Sequence, residues 1–397
     1  MEIPVVKGDD IYKYLGVKIG RKGPTWLIGG ELRDSLQKVA GAALKPQQKM
    51  YKKYLNKKYL PPKYYYQLVH QRVIVMTLRS MEKCIRSTVR RILHLPHDTP
   101  TPMFHEHPSA GGLAVPELEK VVPALLAGFK SRMEARGGFW NEVANAIKIP
   151  HCNRVRRVKV TDFCDGKGLG EASKQPACYK WLFDGSRLMS GSTFIEAVKI
   201  RHGLVATKEK SSRGNRAQQM VNLTCDLGCR KIETLGHILQ ECPHTAHLRN
   251  ERHDQVNLLL KTALEKKGYT SILEPTIATA AGIRRPDIVC WKADSAHVID
   301  TTICADAHAA RMEDVFQRKV DYYRNEDINT WVRRQSGTGA VATDALVMNW
   351  RGDPCRHSHK LLARLRLLDT IKLMEVRSLE YSVRIARFFK QAAGHWG

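Results

Sequence analysis

Cys225, Cys229, His237 and Cys242 fall within 18 residues, in the order Cys-x3-Cys-x7-His-x4-Cys. Four sulfur and imidazole donors so close together suit the tetrahedral shell of a zinc ion. Two cysteines across a short turn supply half of that shell, and Gly228 eases the turn. His237 and Cys242 are spaced to lie near one face of a helical turn. The set leaves no open coordination position, so the expected site is structural, and a fold this small would depend on its metal. His244 and His247 stand as alternative donors for the fourth position. The competing reading is three reduced cysteines in an ordinary core. Met1 to Asp10 is mixed in character rather than an apolar signal region, and no apolar run approaches the ~20 residues that cross a bilayer. A reducing compartment is therefore expected, where clustered cysteines point to metal rather than disulfide.

Charge narrows the partners. The chain has 397 residues, with 65 Lys and Arg against 39 Asp and Glu, a formal charge of +26. Such an excess repels itself unless it meets a polyanion, so nucleic acid is the first partner to consider and a membrane is not expected. An apolar fraction of 43% is that of a globular chain, and the length allows two or three domains with their own cores.

The organisation reads as follows. Tyr12 to Ile19 alternates like a strand, yet too early for a complete domain to precede it, so the chain is expected to be the back end of a larger one. Ser35 to Met81 contains no Asp or Glu. Lys45, Lys49, Lys52 and Lys53 fall on one side of an expected helix, Lys57 and Lys58 follow, and six tyrosines from Tyr51 to Tyr66 are interleaved. Phosphates along that side, with tyrosines packing or stacking, make a nucleic-acid face; a solvated helix with tyrosine core filler is the plainer alternative. Pro61-Pro62 and the segment Pro96 to Pro108 are expected to interrupt helices. Residues 117–147 read as helical, 151–190 as a poorly periodic basic linker, and Phe194 to Leu204 as helical again, followed by a basic stretch from Lys208 through Arg213 to Arg216.

A second cluster lies downstream. After a helix marked by Val256, Leu259, Leu260, Ala263 and Leu264 come three extended segments, Ser271 to Thr279, Ile283 to Trp291 and Ala296 to Ile303. The last two read as a pair joined by the polar turn Lys292-Ala293-Asp294-Ser295. Asp287 opens one strand and Asp300 ends the apolar part of the other, so both carboxylates can meet at one edge. Two hard oxygen ligands suit Mg2+, which can polarise a phosphate and lower the pKa of an attacking water. Lys319 sits on the apolar face of an expected helix from Ala305 to Arg324, where a cation is costly unless it reaches carboxylates or ligand. Glu274 is a further carboxylate candidate, against the plain reading of a surface Glu before Pro275.

These residues resemble the restriction-like endonuclease of site-specific non-LTR retrotransposons, in particular the R-two clade that inserts into ribosomal RNA genes. Arg252-His253-Asp254, Arg285-Pro286-Asp287, Asp300, Lys319 and Asn349-Trp350-Arg351-Gly352 match the endonuclease end, and the Cys-Cys-His-Cys order and spacing match the zinc knuckle. Leu44-Lys45-Pro46-Gln47-Gln48, Leu93-His94-Leu95-Pro96 and Gly111-Gly112-Leu113 resemble segments of the polymerase thumb and the region after it. Where the wider nuclease pattern puts its lysine, this chain has Thr302, and in the resembled family the lysine has moved to the next helix, where Lys319 stands. Tyr323 matches a recurrent tyrosine, and Tyr322 stands where a second basic residue sometimes occurs.

The resemblance implies an α+β multidomain chain. Residues 1–34 would end the reverse transcriptase palm and primer-grip region, and 35–150 would form a helical thumb-like region. A basic linker (151–220), a CCHC zinc knuckle (221–250) and an α/β PD-(D/E)xK endonuclease (251–397) would follow. It further implies a metal-dependent DNA endonuclease with structural Zn2+ and catalytic Mg2+. Its partners would be target DNA, element RNA and the upstream polymerase region of the same polyprotein, and it would act in the nucleus. Asp287, Asp300, Lys319, Tyr323 and Glu274 are the expected catalytic set, with Arg213, Arg216 and Arg285 among the nucleic-acid contacts. The polymerase Tyr-x-Asp-Asp motif is not in this sequence. The rival reading is a zinc-knuckle binding module without catalysis.

Overall fold

The computed structural model describes residues 12–14, 17–20, 23–24, 28–53, 60–70, 73–150, 158–166, 168–169, 176–184, 188–213, 222–305 and 309–394. The fold is α+β. It divides into two compact units, residues 1–107 with 112–159, and residues 108–111 with 160–397. No helix among the described residues is long and apolar enough to cross a membrane.

In the first unit, Tyr12 to Ile19 is two strands rather than one. β1 (Tyr12–Tyr14) pairs antiparallel with β2 (Val17–Gly20), which pairs with β3 (Gly23–Pro24). Alternation alone cannot separate one strand from the two arms of a tight hairpin. Helices Ile28–Gly41, Leu60–Val69, Val75–Leu93, Thr101–His105, Leu118–Glu134 and Phe139–Ala146 follow. Val75–Leu93 buries Leu78, Met81, Ile85, Val89 and Ile92, a stripe at helical spacing. Pro61-Pro62 falls within the first turn of a helix instead of breaking one, because the first-turn N–H groups have no intrahelical acceptor to lose.

The lysine-rich stretch departs from the regular helix expected for it. Gln48–Lys53 is a π-helical turn. Lys49 Nζ donates to Ala40 O at 2.7 Å, so its charge caps a neighbouring carbonyl. The side chains of Lys52 and Lys53, and Lys57, Lys58 and Arg216 altogether, lie outside the described residues. Tyr64 is core filler. Its hydroxyl donates to Glu31 O at 2.9 Å and sits 2.8 Å from Ser35 Oγ.

The second unit is built on a four-stranded sheet in the order β4 (Thr270–Leu273), β7 (Ile288–Lys292), β8 (Ser295–Cys304), β9 (Ala340–Asn349). A separate hairpin of β5 (Ile277–Thr279) and β6 (Gly282–Arg284) interrupts the extended segments. Pro275 and Pro286 explain those breaks, since neither can donate to a ladder. β4, β7 and β8 are antiparallel, whereas β9 lies parallel to β8 from Ser295↔Ala340 to Cys304↔Asn349. A parallel neighbour needs a long crossover, which helices Ala309–Tyr323 and Glu326–Ser336 provide.

The sheet is covered on both faces. Ile288, Cys290, Ile299, Leu346 and Met348 pack on helices Ala246–Lys266 and Ile371–Ala392. Val298, Ala345 and Val347, of opposite parity, pack on the crossover helices. Burial on both faces accounts for the nearly unbroken apolar run in β7 and β8.

Residues read from the sequence as linker contribute to this unit. Trp181, Leu182 and Cys178 are buried, and Arg201, in helix Gly191–Arg201, is sequestered. Arg201 Nη1 lies 3.3 Å from both Asp353 Oδ1 and Glu375 Oε1, and Trp181 Nε1 donates to Glu375 Oε1 at 3.0 Å. Gly352 runs so close that a Cβ would stand 2.7 Å from the Glu375 Cα, at a φ of +93° that also favours glycine. Isolated apolar and aromatic residues with no common period gave the sequence reading nothing to detect.

Candidate functional site

The first site is the cysteine cluster. Cys225 N donates to Lys231 O at 2.8 Å, and Thr224 bridges Ile232, so the two cysteines sit on a small β-turn. Gly228 occupies the left-handed region, at φ +81°, that closes it. Glu233 ties the turn down by accepting Asp226 N and Lys208 N. The chain then winds through a π-helical turn, His237–Glu241, and Cys242 N donates to His237 O at 2.8 Å.

The four ligand atoms lie within 4.8 Å of one another. Cys229 Sγ is 3.9 Å from Cys242 Sγ and 3.0 Å from His237 Nε2. Two Zn–S bonds of ~2.3 Å at a tetrahedral angle put sulfurs roughly 3.8 Å apart, so the donor set fits zinc. Burial pushes the Cys225 and Cys242 thiols up and His237 down, and a bound cation would reverse the thiol shift. His247 packs its ring on Phe388 at 4.9 Å, and neither it nor exposed His244 belongs to the cluster.

The second site is assembled by the sheet. The pairing Ile288↔Ile299 sets Asp287 opposite Asp300 at the end of the β7–β8 ladder. Asp287 Oδ2 accepts Thr301 N at 2.6 Å, and Asp287 O accepts Glu274 N at 2.9 Å. Lys319, on helix Ala309–Tyr323, puts Nζ 2.8 Å from Asp300 Oδ2. Thr302 Oγ1 donates to the same oxygen at 3.4 Å. Tyr323 donates its hydroxyl to Arg285 O at 2.9 Å. Three distant stretches of chain thus bring Asp287, Asp300, Lys319 and Tyr323 together.

Electrostatics at this edge are strained. Burial first, then the Asp287 charge, raise the Asp300 carboxyl, and Lys319 opposes them. Tyr323 is pushed up by burial and by Asp300. Two near-buried carboxylates of like charge stand beside two cationic partners, Lys319 and His253, which a bound metal ion would have to displace or share.

His253 is the member that residue-by-residue reading left out. It lies on helix Ala246–Lys266 with Nε2 3.3 Å from Asp287 Oδ2 and 3.1 Å from Thr301 O. Burial would lower it, but Asp287, then Asp254 and the Thr301 carbonyl, raise it to about 9. Its sequence signal was the Arg252-His253-Asp254 match. A histidine on a helix otherwise marked by leucines carries no spacing cue.

Glu274 stands apart. Its backbone is left-handed, at φ +44°, and its carboxylate pairs with Arg285 Nη2 at 2.7 Å on the exposed side. No hydrogen bond among the described residues joins that carboxylate to Asp287 or Asp300. Arg213 is likewise held, by Asp165 at 2.6 Å and Glu209 at 2.7 Å.

No family model matches the chain. It is 31% identical over 390 residues to the Retrovirus-related Pol polyprotein from type-2 retrotransposable element R2DM of Drosophila melanogaster, covering 93% of this chain and 36% of that protein. It is 33% identical over 372 residues to the Pol polyprotein from type-1 retrotransposable element R2 of Nasonia vitripennis, covering 88% and 35%. A Pol polyprotein from an R2 element of Popillia japonica is 26% identical over 388 residues, covering 92% of this chain and 78% of that protein. The chain spans about a third of the length of the first two. Its homologues, matched along nearly the whole length of this chain, are Pol polyproteins of R2-type retrotransposable elements.

Proposed function

We propose that the second unit is a divalent-metal-dependent DNA endonuclease of restriction-like fold, held beside a structural zinc knuckle. The observation that carries this is the meeting of Asp287, Asp300 and Lys319 at one sheet edge. Asp287 and Asp300 would hold Mg2+, which when bound polarises the scissile phosphate and favours a hydroxide nucleophile. Thr301 N and His253 orient the Asp287 carboxylate so that one oxygen is fixed. Lys319, which pairs with Asp300 in this structure, would set its charge against the phosphate oxygens, where negative charge grows. Tyr323 holds the Arg285 carbonyl and thereby the entry into β7. Cys225, Cys229, His237 and Cys242 would hold the zinc.

In this reading the parent polyprotein nicks a target DNA, ribosomal DNA in the nucleus, and uses the freed 3′ hydroxyl to prime reverse transcription of element RNA by its polymerase region. The basic surface supplies nucleic-acid grip. Nicking of supercoiled plasmid in Mg2+ tests the reading. Wild type should nick and Asp287→Ala should not; equal rates would remove the catalytic assignment.

One observation favours the alternative, a zinc-knuckle binding module without catalysis. Asp300 is already paired by Lys319, and Asp287 by His253. That reading predicts DNA binding with no Mg2+-dependent nicking.

A further inference from the structure

The β5–β6 hairpin presents a surface that the carboxylate site does not use. The Arg284 guanidinium carbon lies 4.4 Å from the centre of the Tyr322 ring. Tyr322 is 53% exposed, and its ring is set at 85° against Tyr323, with centroids 4.9 Å apart. Arg284 Nε is buried without a hydrogen-bond partner, and no carboxylate lies within ion-pair distance of Arg284 among the described residues. Stacking, rather than an acid, holds this guanidinium.

Connectivity ties the surface to the carboxylates. Tyr322 is one helical turn beyond Lys319, a rise of ~4.5 Å along the axis. Arg284 precedes Asp287 by three residues, and the Tyr323 hydroxyl fixes the carbonyl of the intervening Arg285. A half-exposed phenol ring and a stacked guanidinium together present a planar surface. A bare phosphate would use the cation alone. An unstacked nucleobase uses both, since its π face stacks on aromatic and guanidinium planes. Exposed tyrosine costs little conformational entropy to order.

We propose that Tyr322 and Arg284 form a stacking platform for an unpaired DNA base beside the phosphate bound at Asp287 and Asp300. The position relative to that phosphate rests on the endonuclease reading; the base binding does not.

The test uses the full chain, with Ca2+ replacing Mg2+, and a single-stranded oligonucleotide carrying 2-aminopurine. Wild type should change the 2-aminopurine emission on binding. Tyr322→Ala should lose that change and bind roughly five- to a hundredfold more weakly, with the salt dependence of affinity unaltered. Tyr322→Phe should restore both. Unchanged emission and affinity in Tyr322→Ala would overturn the platform. So would a salt slope reduced by about one in Arg284→Ala with Tyr322→Ala neutral, because that is the mark of a phosphate contact. Plasmid nicking by wild type and its loss in Asp287→Ala report on the endonuclease reading separately. A platform that fails while nicking stands leaves that reading intact. A protein that never nicks but shows the Tyr322-dependent emission keeps the platform and loses the nuclease.

Discussion

The cysteine cluster and the carboxylate edge are two ways of building a polar site. The cluster draws its four donors from 18 consecutive residues, on a turn and a helical turn that a metal can close by itself. The carboxylate edge draws from β7, β8 and a crossover helix, and exists only while strand register and helix docking hold. A slip of one residue in the β7–β8 pairing would turn Asp300 to the opposite face. Local sites are therefore metal-limited, and non-local ones are fold-limited.

The largest effect expected to break this comparison is on the cluster. Chelation should unfold residues 222–245 selectively, seen as loss of amide-exchange protection there, because structural zinc contributes on the order of 10 kcal/mol in small knuckles. Protection that survives chelation, or purified protein without zinc, would show that the turn stands alone.

Next is the buried ion cluster of the second unit. Arg201→Met leaves Asp353 and Glu375 facing each other in a dry interior, and urea unfolding of the second unit should lose about 3–5 kcal/mol. A loss under 1 kcal/mol would mean that the segment around Arg201 is not integral to the unit.

Smaller is a pH effect. The folded pKa of His253 is raised to about 9, above its ordinary 6.5. Its pairing with Asp287 therefore stabilises the fold fully below about pH 6.5 and is lost as pH rises through about 9. Unfolding free energy measured from pH 6 to 10 should fall more steeply in wild type than in His253→Gln. Parallel curves would contradict the pairing.

Least of all, Glu274→Ala should change nicking less than about twofold, because that carboxylate is spent on exposed Arg285. A large loss would return Glu274 to the catalytic set.

The same contrast explains what could be read in advance. The β7–β8 pair was legible because its apolar runs flank a polar turn, and once that pair is drawn Asp287 and Asp300 face each other. Helix Ala246–Lys266 was legible from Val256, Leu260 and Leu264. β9 was not, since a parallel strand after two helices leaves no short-range signal. Nor was the packing of Trp181 and Arg201, whose partners lie 150 to 194 residues away. The π-helical turn Gln48–Lys53 was not legible either, because its winding departs from the 3.6-residue period used to count helical faces. Patterns report local geometry, and register-dependent contacts stay silent until the sheet is assembled.

We propose that Asp287 and Asp300 share one divalent ion. Electron paramagnetic resonance of Mn2+ titrated into the zinc-loaded protein with a DNA oligonucleotide tests it most directly. Wild type should bind Mn2+ at a site that the Asp287→Asn, Asp300→Asn double variant loses while keeping its zinc; an unchanged Mn2+ stoichiometry in the double variant would contradict the account.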